Sequence, residues 1–376
     1  MDIIKFCNIE NSEWDRHIHK LTDSTYMHSS WWINYLNAVN GIENDKSFII
    51  LEGDNPLGAC TLTVPESNVN GTDYQAANFI DISNPCPAIA ELPATQRRRL
   101  LRKVFNIIYE ILMPYKIKKI EFYKHPVNIN FLKGAFDGSY QAEVIALGYI
   151  GYVKNTIIVD LTKGEEELLS EVTAYQRKHI RKSAKQGLLI KELRGSSRFI
   201  GKAFNDYQSA HFKSAGRLTR PQASWDIMKE LLKKEKATLF IATIDGHEIS
   251  YLYCGEFGDF SFGWSQVNLN EHEKIYSPRH LLEWEAMMTY KRRGFRYYEV
   301  GIQYGLPQIQ YFPTYKDITI SQFKERYGGK LYCYLYFEKF LDKELFTAVY
   351  KERIERISSS DCFGSMEDSG EPCKEQ

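Results

Sequence analysis

Three groups of residues have types and spacings suited to chemistry. The first is Ser277-Pro278-Arg279-His280, which opens an apolar helix carrying Leu281, Leu282, Trp284, Ala286, Met287, Met288 and Tyr290, stopped by Gly294. Ser277 is placed as N-cap and Pro278 as the first helical residue. The first turn carries no acid, so its unpaired N–H groups can hold a phosphate or carboxylate, and Arg279 adds a cation. The second is Glu299, the conspicuous acid of the apolar stretch Phe295 to Gly301, which reads as a buried strand. Burial beside aromatics would raise its pKa and suit it to act as a base; a structural hydrogen bond is the plainer alternative. Tyr297, Tyr298, Tyr304 and Tyr311 nearby supply hydroxyl donors or fill space. The third is a helix expected from about Glu165 to Gln186, with Arg177, Lys178, Arg181, Lys182 and Lys185 crowding its end. Arg177, Arg181 and Lys185 share one face. Acids at the start (Glu165, Glu166, Glu167, Glu171) and bases at the end complement the helix dipole. That field fades within the last turn, so the surplus of bases also points to a phosphate contact through Arg177 and Arg181.

Other chemistries find no motif. His211, His247 and His280 have no metal-ligand spacing and the pair His17-x-His19 stands alone, so no metal is expected. No serine or cysteine sits in a nucleophile motif, which favours direct transfer without a covalent enzyme intermediate. Basic and acidic residues balance at 48 each, so any nucleic-acid contact must come from a local patch. The seven cysteines are scattered, never in a CxxC pair, and read as reduced thiols. The polar, acidic N-terminus does not read as a signal peptide, and no run reaches the roughly 18 apolar residues of a membrane span. These features lead to an expectation of a cytoplasmic protein.

The elements that must position these residues can be read in order. At 376 residues the chain exceeds one core, so two domains are expected. Ile3 to Ile9 suggests a strand, and SSWWINYL opens a serine-capped helix whose aromatics form core or a substrate-facing wall. SFIILEG and PLGACTLTVP read as a hairpin. NGTDYQAANFIDISNPCP reads as a loop held extended by Asn84-Pro85 and Cys86-Pro87. A helix from about Thr95 to Leu112 shows Arg97, Arg98, Arg99, Arg102 and Lys103, taken as a solvated face, before a strand over Lys119 to Tyr123. Tyr149 to Leu161 is another strand. Beyond the basic helix come helices over Ser197 to Gly216 and Pro221 to Lys234, then a three-stranded meander turning at Asp245-Gly246 and Gly258-Asp259. The polar stretch after about Ile357 reads as a disordered tail. Helices, antiparallel strands, helix and strand in this order indicate an α/β (α+β) acyltransferase-like fold rather than a doubly wound sheet.

The pieces SSWWINYL, RKHIRKSAKQGL, GHEISYLYCGEF, SPRHLLEWEAMMTYKRRGFRYYEVG and FKERYGG, in this order, resemble the Fem peptidyltransferase (FemAB-like) family of the GNAT acyltransferase superfamily over most of the chain. The resemblance implies tandem GNAT-like domains with mixed, largely antiparallel sheets flanked by helices. Their expected spans are 1–155 and 156–324, with 325–350 returning to the first and 357–376 as the tail. It implies transfer of an acyl or aminoacyl group to an amino group of a cell-wall, polysaccharide or nucleotide-sugar precursor. The donor would be acyl-CoA or aminoacyl-tRNA, with no tightly bound cofactor. The family's reaction-centre lysine maps onto Lys324, and its basic helix onto Arg177 and Arg181 as substrate-phosphate contacts. Ser277, Arg279, Tyr298 and Tyr304 complete the expected substrate-binding set. The chain departs from the family by lacking a coiled-coil arm. Where the coenzyme A loop of ordinary GNAT enzymes has glycines, it reads HEKIYSPRHLL.

Attack of an amine on an ester or thioester needs a neutral amine, aligned reactants and a stabilised oxyanion. Lys324 is the cation best placed for the last task; as a plain structural residue it would be a surface lysine on a strand. An RNA-binding module using the basic helix, and an inactive scaffold for glycan biosynthesis, are the competing readings. Acceptor identity and oligomeric state stay open.

Overall fold

The computed structural model describes residues 1–41, 45–64, 82–115, 117–127, 138–269, 275–304 and 308–359. Most of the loop expected before Asn84, and the tail from residue 360, lie outside the described residues. The chain opens with β1 (Asp2–Lys5), α1 (Asn11–Ile18) and α2 (Ser30–Asn40), then the hairpin β2 (Phe48–Glu52) and β3 (Asn55–Thr63). Next come β4 (Ile82–Ile89), α3 (Ala94–Leu112), β5 (Lys119–Lys124), α4 (Gly138–Ala146) and β6 (Ile150–Asp160). A second series repeats the scheme: α5 (Glu165–Glu171), α6 (Ala174–Lys185), β7 (Leu189–Leu193), α7 (Ile200–Ala215) and α8 (Gln222–Lys233), then the meander β8 (Ala237–Ile244), β9 (His247–Phe257) and β10 (Phe260–Asn268). It continues with α9 (Pro278–Arg292), β11 (Tyr297–Gln303), α10 (Tyr315–Glu325) and β12 (Lys330–Phe340), and α11 (Lys343–Ser358) follows.

The strands form one sheet in the order β1-β2-β3-β4-β5-β12-β6-β11-β10-β9-β8-β7. Each half is an antiparallel run ending in a parallel pair, and β6 and β12 are exchanged between the halves. They pair with each other from Lys330↔Ile158 to Glu338↔Ile150 and so tie the halves through main-chain hydrogen bonds. The parallel pairs are short. β10 meets β11 only over Phe260–Phe262 and Tyr297–Glu299, and β4 meets β5 only over Ile82–Ser83 and Lys119–Ile120. Beyond those residues each pair opens into a fork, which leaves a strand edge to be satisfied by something other than a neighbouring strand.

Helices cover both faces of the second half. On one face α9 and α6 pack Leu282, Met287, Met288 and Ile180 against Ile157, Val159 and Val300. On the other, Tyr26, Trp31 and Tyr35 from the first half join Phe204, Tyr207 and Trp225 of α7 and α8, with Tyr334 and Tyr336 of β12, in one aromatic core. Every residue of β8 is buried as a result.

Several sequence expectations are corrected. The single helix from Glu165 breaks at Val172, which is extended, and restarts at Thr173, whose hydroxyl caps α6 by accepting from the Gln176 N–H. Asn84 to Pro87 lies in a strand, not a loop. The two prolines are alternate residues, so their missing N–H groups fall on one side of β4 and leave the pairing with β3 intact. Arg97 is buried beside Asp23, 3.7 Å away, rather than solvated. Lys324 is in the last turn of a helix, not on a strand, and α11 continues to Ser358, past the expected start of the tail.

Candidate active site

The fork between β10 and β11 gathers the reactive groups. α10 runs beside β11, and Lys324 reaches back so that its ammonium donates to the Ile302 carbonyl at 2.9 Å. Gly301 makes this approach feasible: its φ of +124° suits glycine, and a methyl group there would lie 2.8 Å from Lys324 Nζ. Gly329, at φ +84°, lets the chain leave α10 against β6, where a Cβ would fall 2.7 Å from the Ile158 carbonyl oxygen. Burial draws the Lys324 pKa below the usual lysine value, and the carboxylates of Glu299 and Glu283 oppose that fall. Lys324 is thus a half-buried cation between two acids.

Glu283, on α9, went unnoticed in the sequence reading. It is buried on all sides, accepts a 2.6 Å hydrogen bond from the Tyr298 hydroxyl, and has its pKa pushed up to about 7 by burial. Tyr298 also lies 3.7 Å from Cys254 Sγ. The pair sits under Gly263 of β10, whose added Cβ would lie 3.3 Å from the Tyr298 hydroxyl and 3.6 Å from Glu283. A β-bulge between Gly263 and Ser265 interrupts the register there. The signal available in the sequence was an acid in an otherwise apolar stretch of helix.

Glu299 behaves oppositely to the expectation of a raised pKa. Burial alone would raise it, but His125 (3.2 Å), Thr156 Oγ1 (2.6 Å) and the Tyr334 hydroxyl (2.8 Å) surround the carboxylate and hold its pKa below the usual glutamate value. With Nδ1 of His125 accepting the Val127 N–H, Nε2 is left to donate to Glu299. Glu299 is therefore a fixed negative charge beside Lys324.

The start of α9 is more elaborate than a capped helix. Ser277 is left-handed (φ 47°, ψ 48°) and makes no capping bond; its carbonyl accepts from Ser183 Oγ at 3.2 Å. Arg279 lies over the Phe323 ring at 4.6 Å. His280 Nδ1 donates to Gln176 Oε1 (2.8 Å) and the ring stacks on His179 at 4.7 Å; burial, then nearby His179, Arg279 and Arg326, push its pKa down to about 3. Among the described residues the buried Gln176 Nε2 and His179 Nδ1 have no hydrogen-bond partner. A helix start with the unpartnered Gln176 amide beneath it is chemically suited to an anion.

The two expected phosphate contacts are separated in role. Arg177 Nη1 donates to the carbonyls of Leu169 (3.3 Å), Ser170 (3.1 Å) and Val172, closing the C-terminus of α5, whereas Arg181 is exposed. Tyr304 holds its backbone N–H on Ser321 Oγ (2.8 Å) and stacks its ring on Tyr311 at 5.1 Å. The aromatic face adds a second group that the sequence reading passed over. Arg220 lies 4.6 Å over Trp225 and donates to Ser265 Oγ (3.3 Å), which also bonds His211 Nε2 (3.1 Å). Trp32, Tyr35 and Trp264 cluster against the same wall. Among the described residues no group of His, Cys, Asp or Glu comes together as metal ligands, and no helix is long and apolar enough to cross a membrane.

No protein-family model and no curated protein matches the sequence. Solved structures match in shape. FemX superposes with a TM-score of 0.65 over 93% of this chain and 100% of its own, at 15% identity. The C-terminal domain of a putative lysylphosphatidylglycerol synthetase from Agrobacterium fabrum gives 0.55 over 93% and 97%, at 10% identity. A tandem GNAT protein from the clavulanic acid biosynthesis pathway gives 0.50 over 90% and 98%, at 11% identity. The chain has the tandem GNAT fold of FemAB-like proteins, and at these identities the likeness is one of fold.

Proposed function

We propose that the protein is an acyltransferase that moves an acyl or aminoacyl group to an amino group of a cell-wall, polysaccharide or nucleotide-sugar precursor. The observation that carries this reading is the β10–β11 fork, where the Lys324 ammonium on the Ile302 carbonyl lies within electrostatic reach of the Tyr298–Glu283 pair. The amine nitrogen attacks the ester or thioester carbonyl, a C–N bond forms, and the C–O or C–S bond breaks. Lys324 steadies the developing oxyanion, a task worth roughly 10²–10³ in rate for one donor. The proton leaving the amine passes through the Tyr298 hydroxyl to Glu283, whose pKa of about 7 lets it accept near neutrality and then return the proton to the leaving group. Glu299 keeps Lys324 charged despite its burial.

The donor's phosphates would rest at the start of α9 with Arg279, and beside Arg181, in place of a glycine-rich loop. On this reading Tyr304 and Arg220 would contact the acceptor. Both acyl-CoA and aminoacyl-tRNA suit such a site. A neighbour named as a lysylphosphatidylglycerol synthetase favours the aminoacyl donor, one named as a tandem GNAT protein the acyl-CoA donor. A cytoplasmic location and lobes over 1–155 and 156–324 belong to the same proposal. The test is to incubate the purified protein with labelled acyl-CoA and, separately, charged tRNA, each with a nucleotide-sugar mixture. Label reaching an amine supports the reading. Salt-sensitive RNA binding with no transfer from either donor would favour the binding module instead.

A further inference from the structure

The aromatic face of β5, β12 and β6 carries a second constellation, apart from the fork. Tyr336 is registered against Tyr123 on one side and Tyr152 on the other, and its ring stacks on both at 5.0 Å. Lys154 reaches over this platform, with Nζ 4.6 Å from the Tyr336 ring centre and 4.9 Å from that of Tyr311. Tyr152 donates to Glu121 and Tyr311 to Asp317, both at 2.8 Å. The hydroxyls of Tyr123, Tyr304 and Tyr336 have no hydrogen-bond partner among the described residues.

Lys154 makes no ion pair among the described residues either. The acids within electrostatic reach are Glu121 and Asp317. Both are committed elsewhere, Glu121 to Lys119 at 2.6 Å and Asp317 to the Thr314 cap at 2.7 Å. A half-buried cation held over two ring faces, with three open hydroxyls near it, is complete once a ligand brings the negative charge.

We propose that Lys154, with the hydroxyls of Tyr123, Tyr304 and Tyr336, binds an anionic group, a carboxylate or a phosphate, carried by a sugar-sized ligand. Naming that ligand as the acceptor rests on the acyl-transfer reading. Thr156 is registered against Ile302, the residue that holds Lys324, and Lys154 lies two residues further along β6, about 7 Å at the usual strand rise. The anion would sit within one sugar ring of the reacting amine.

The test is equilibrium binding of glucuronate, glucose 1-phosphate and glucose, followed by calorimetry at low salt, to the wild type, K154M, K154R and K324M, each checked for folding by circular dichroism. The wild type should bind at least one of the two anions about ten times more tightly than glucose, the gain of one charge-assisted contact. K154M should lose that preference, and K154R and K324M should keep it. The better of glucuronate and glucose 1-phosphate tells carboxylate from phosphate. Equal binding of all three sugars, binding of none, or an unchanged preference in K154M overturns the proposal. A preserved preference in a protein that transfers nothing leaves the anion subsite standing and sinks only the transfer reading; transfer without the preference does the reverse.

Discussion

The two forks of the sheet answer the same structural problem in different ways. Between β4 and β5 the gap is closed. Neutral His28, its pKa pushed by burial down to about 4, accepts the Thr25 N–H at Nδ1 and donates from Nε2 to the Cys86 carbonyl at 3.1 Å. Beside it the buried Asp23 bonds Lys124 at 2.9 Å and faces Arg97 at 3.7 Å. Between β10 and β11 the exposed carbonyl of Ile302 is satisfied by Lys324, a charged and half-buried group, with Glu283 behind it holding a pKa near neutrality. One fork spends its buried charges on each other. The other keeps a half-buried cation beside a buried titratable acid. On the acyl-transfer proposal, one copy of this weak point serves stability and the other chemistry.

Substitutions at either fork separate the two roles. The largest expected effect is that of E283Q, which keeps the Tyr298 hydrogen bond but removes the proton acceptor and should cost roughly 10²–10⁴ in transfer rate. The wild-type rate should rise with pH through about 7 as Glu283 ionises, and the variant should lose that limb. Its effect on stability has a defined sign. The pKa is raised from 4.5, so the folded state holds a proton that the unfolded chain releases. Stability should therefore fall by about 3 kcal/mol as pH climbs through that interval, and urea melts of E283Q should lack this slope. At the closed fork, D23N removes the carboxylate facing Lys124 and Arg97. It should lower stability by about 3–5 kcal/mol while the transfer rate per folded molecule is unchanged. G301A crowds Lys324 Nζ and strains a positive φ, so about 1–3 kcal/mol of stability and part of the rate should go together. The smallest effect is expected for R177M, which uncaps α5 and should cost about 1 kcal/mol in thermal melts, with little change in donor affinity.

Much of this arrangement is written in local sequence. The meander, the apolar helix from Pro278 and the strand carrying Tyr298 and Glu299 all follow from periodicity and turn residues, because each is buried in the way its own pattern dictates. What escaped depends on partners far away in the chain. The prolines of β4 suggested a loop because nothing local shows that their bare edge faces a gap. Glu299 suggested a base because His125 and Tyr334, which fix its charge, are 174 and 35 residues away. Glu283 was passed over inside an apolar helix, although one acid among Leu281, Leu282 and Trp284 was the available clue. The break at Val172 was masked by good helix formers on both sides, and Arg177 closes it from the next helix.

The most direct test of the account is single-turnover transfer of label to an amine acceptor by the wild type, K324M and H28L in one assay. Whichever donor serves the wild type should be used, at a temperature where all three are folded. K324M should lose about 10²–10³ in rate, while H28L, altered at the closed fork, should transfer as the wild type does. An unimpaired K324M, or a wild type that transfers from neither donor, would contradict it.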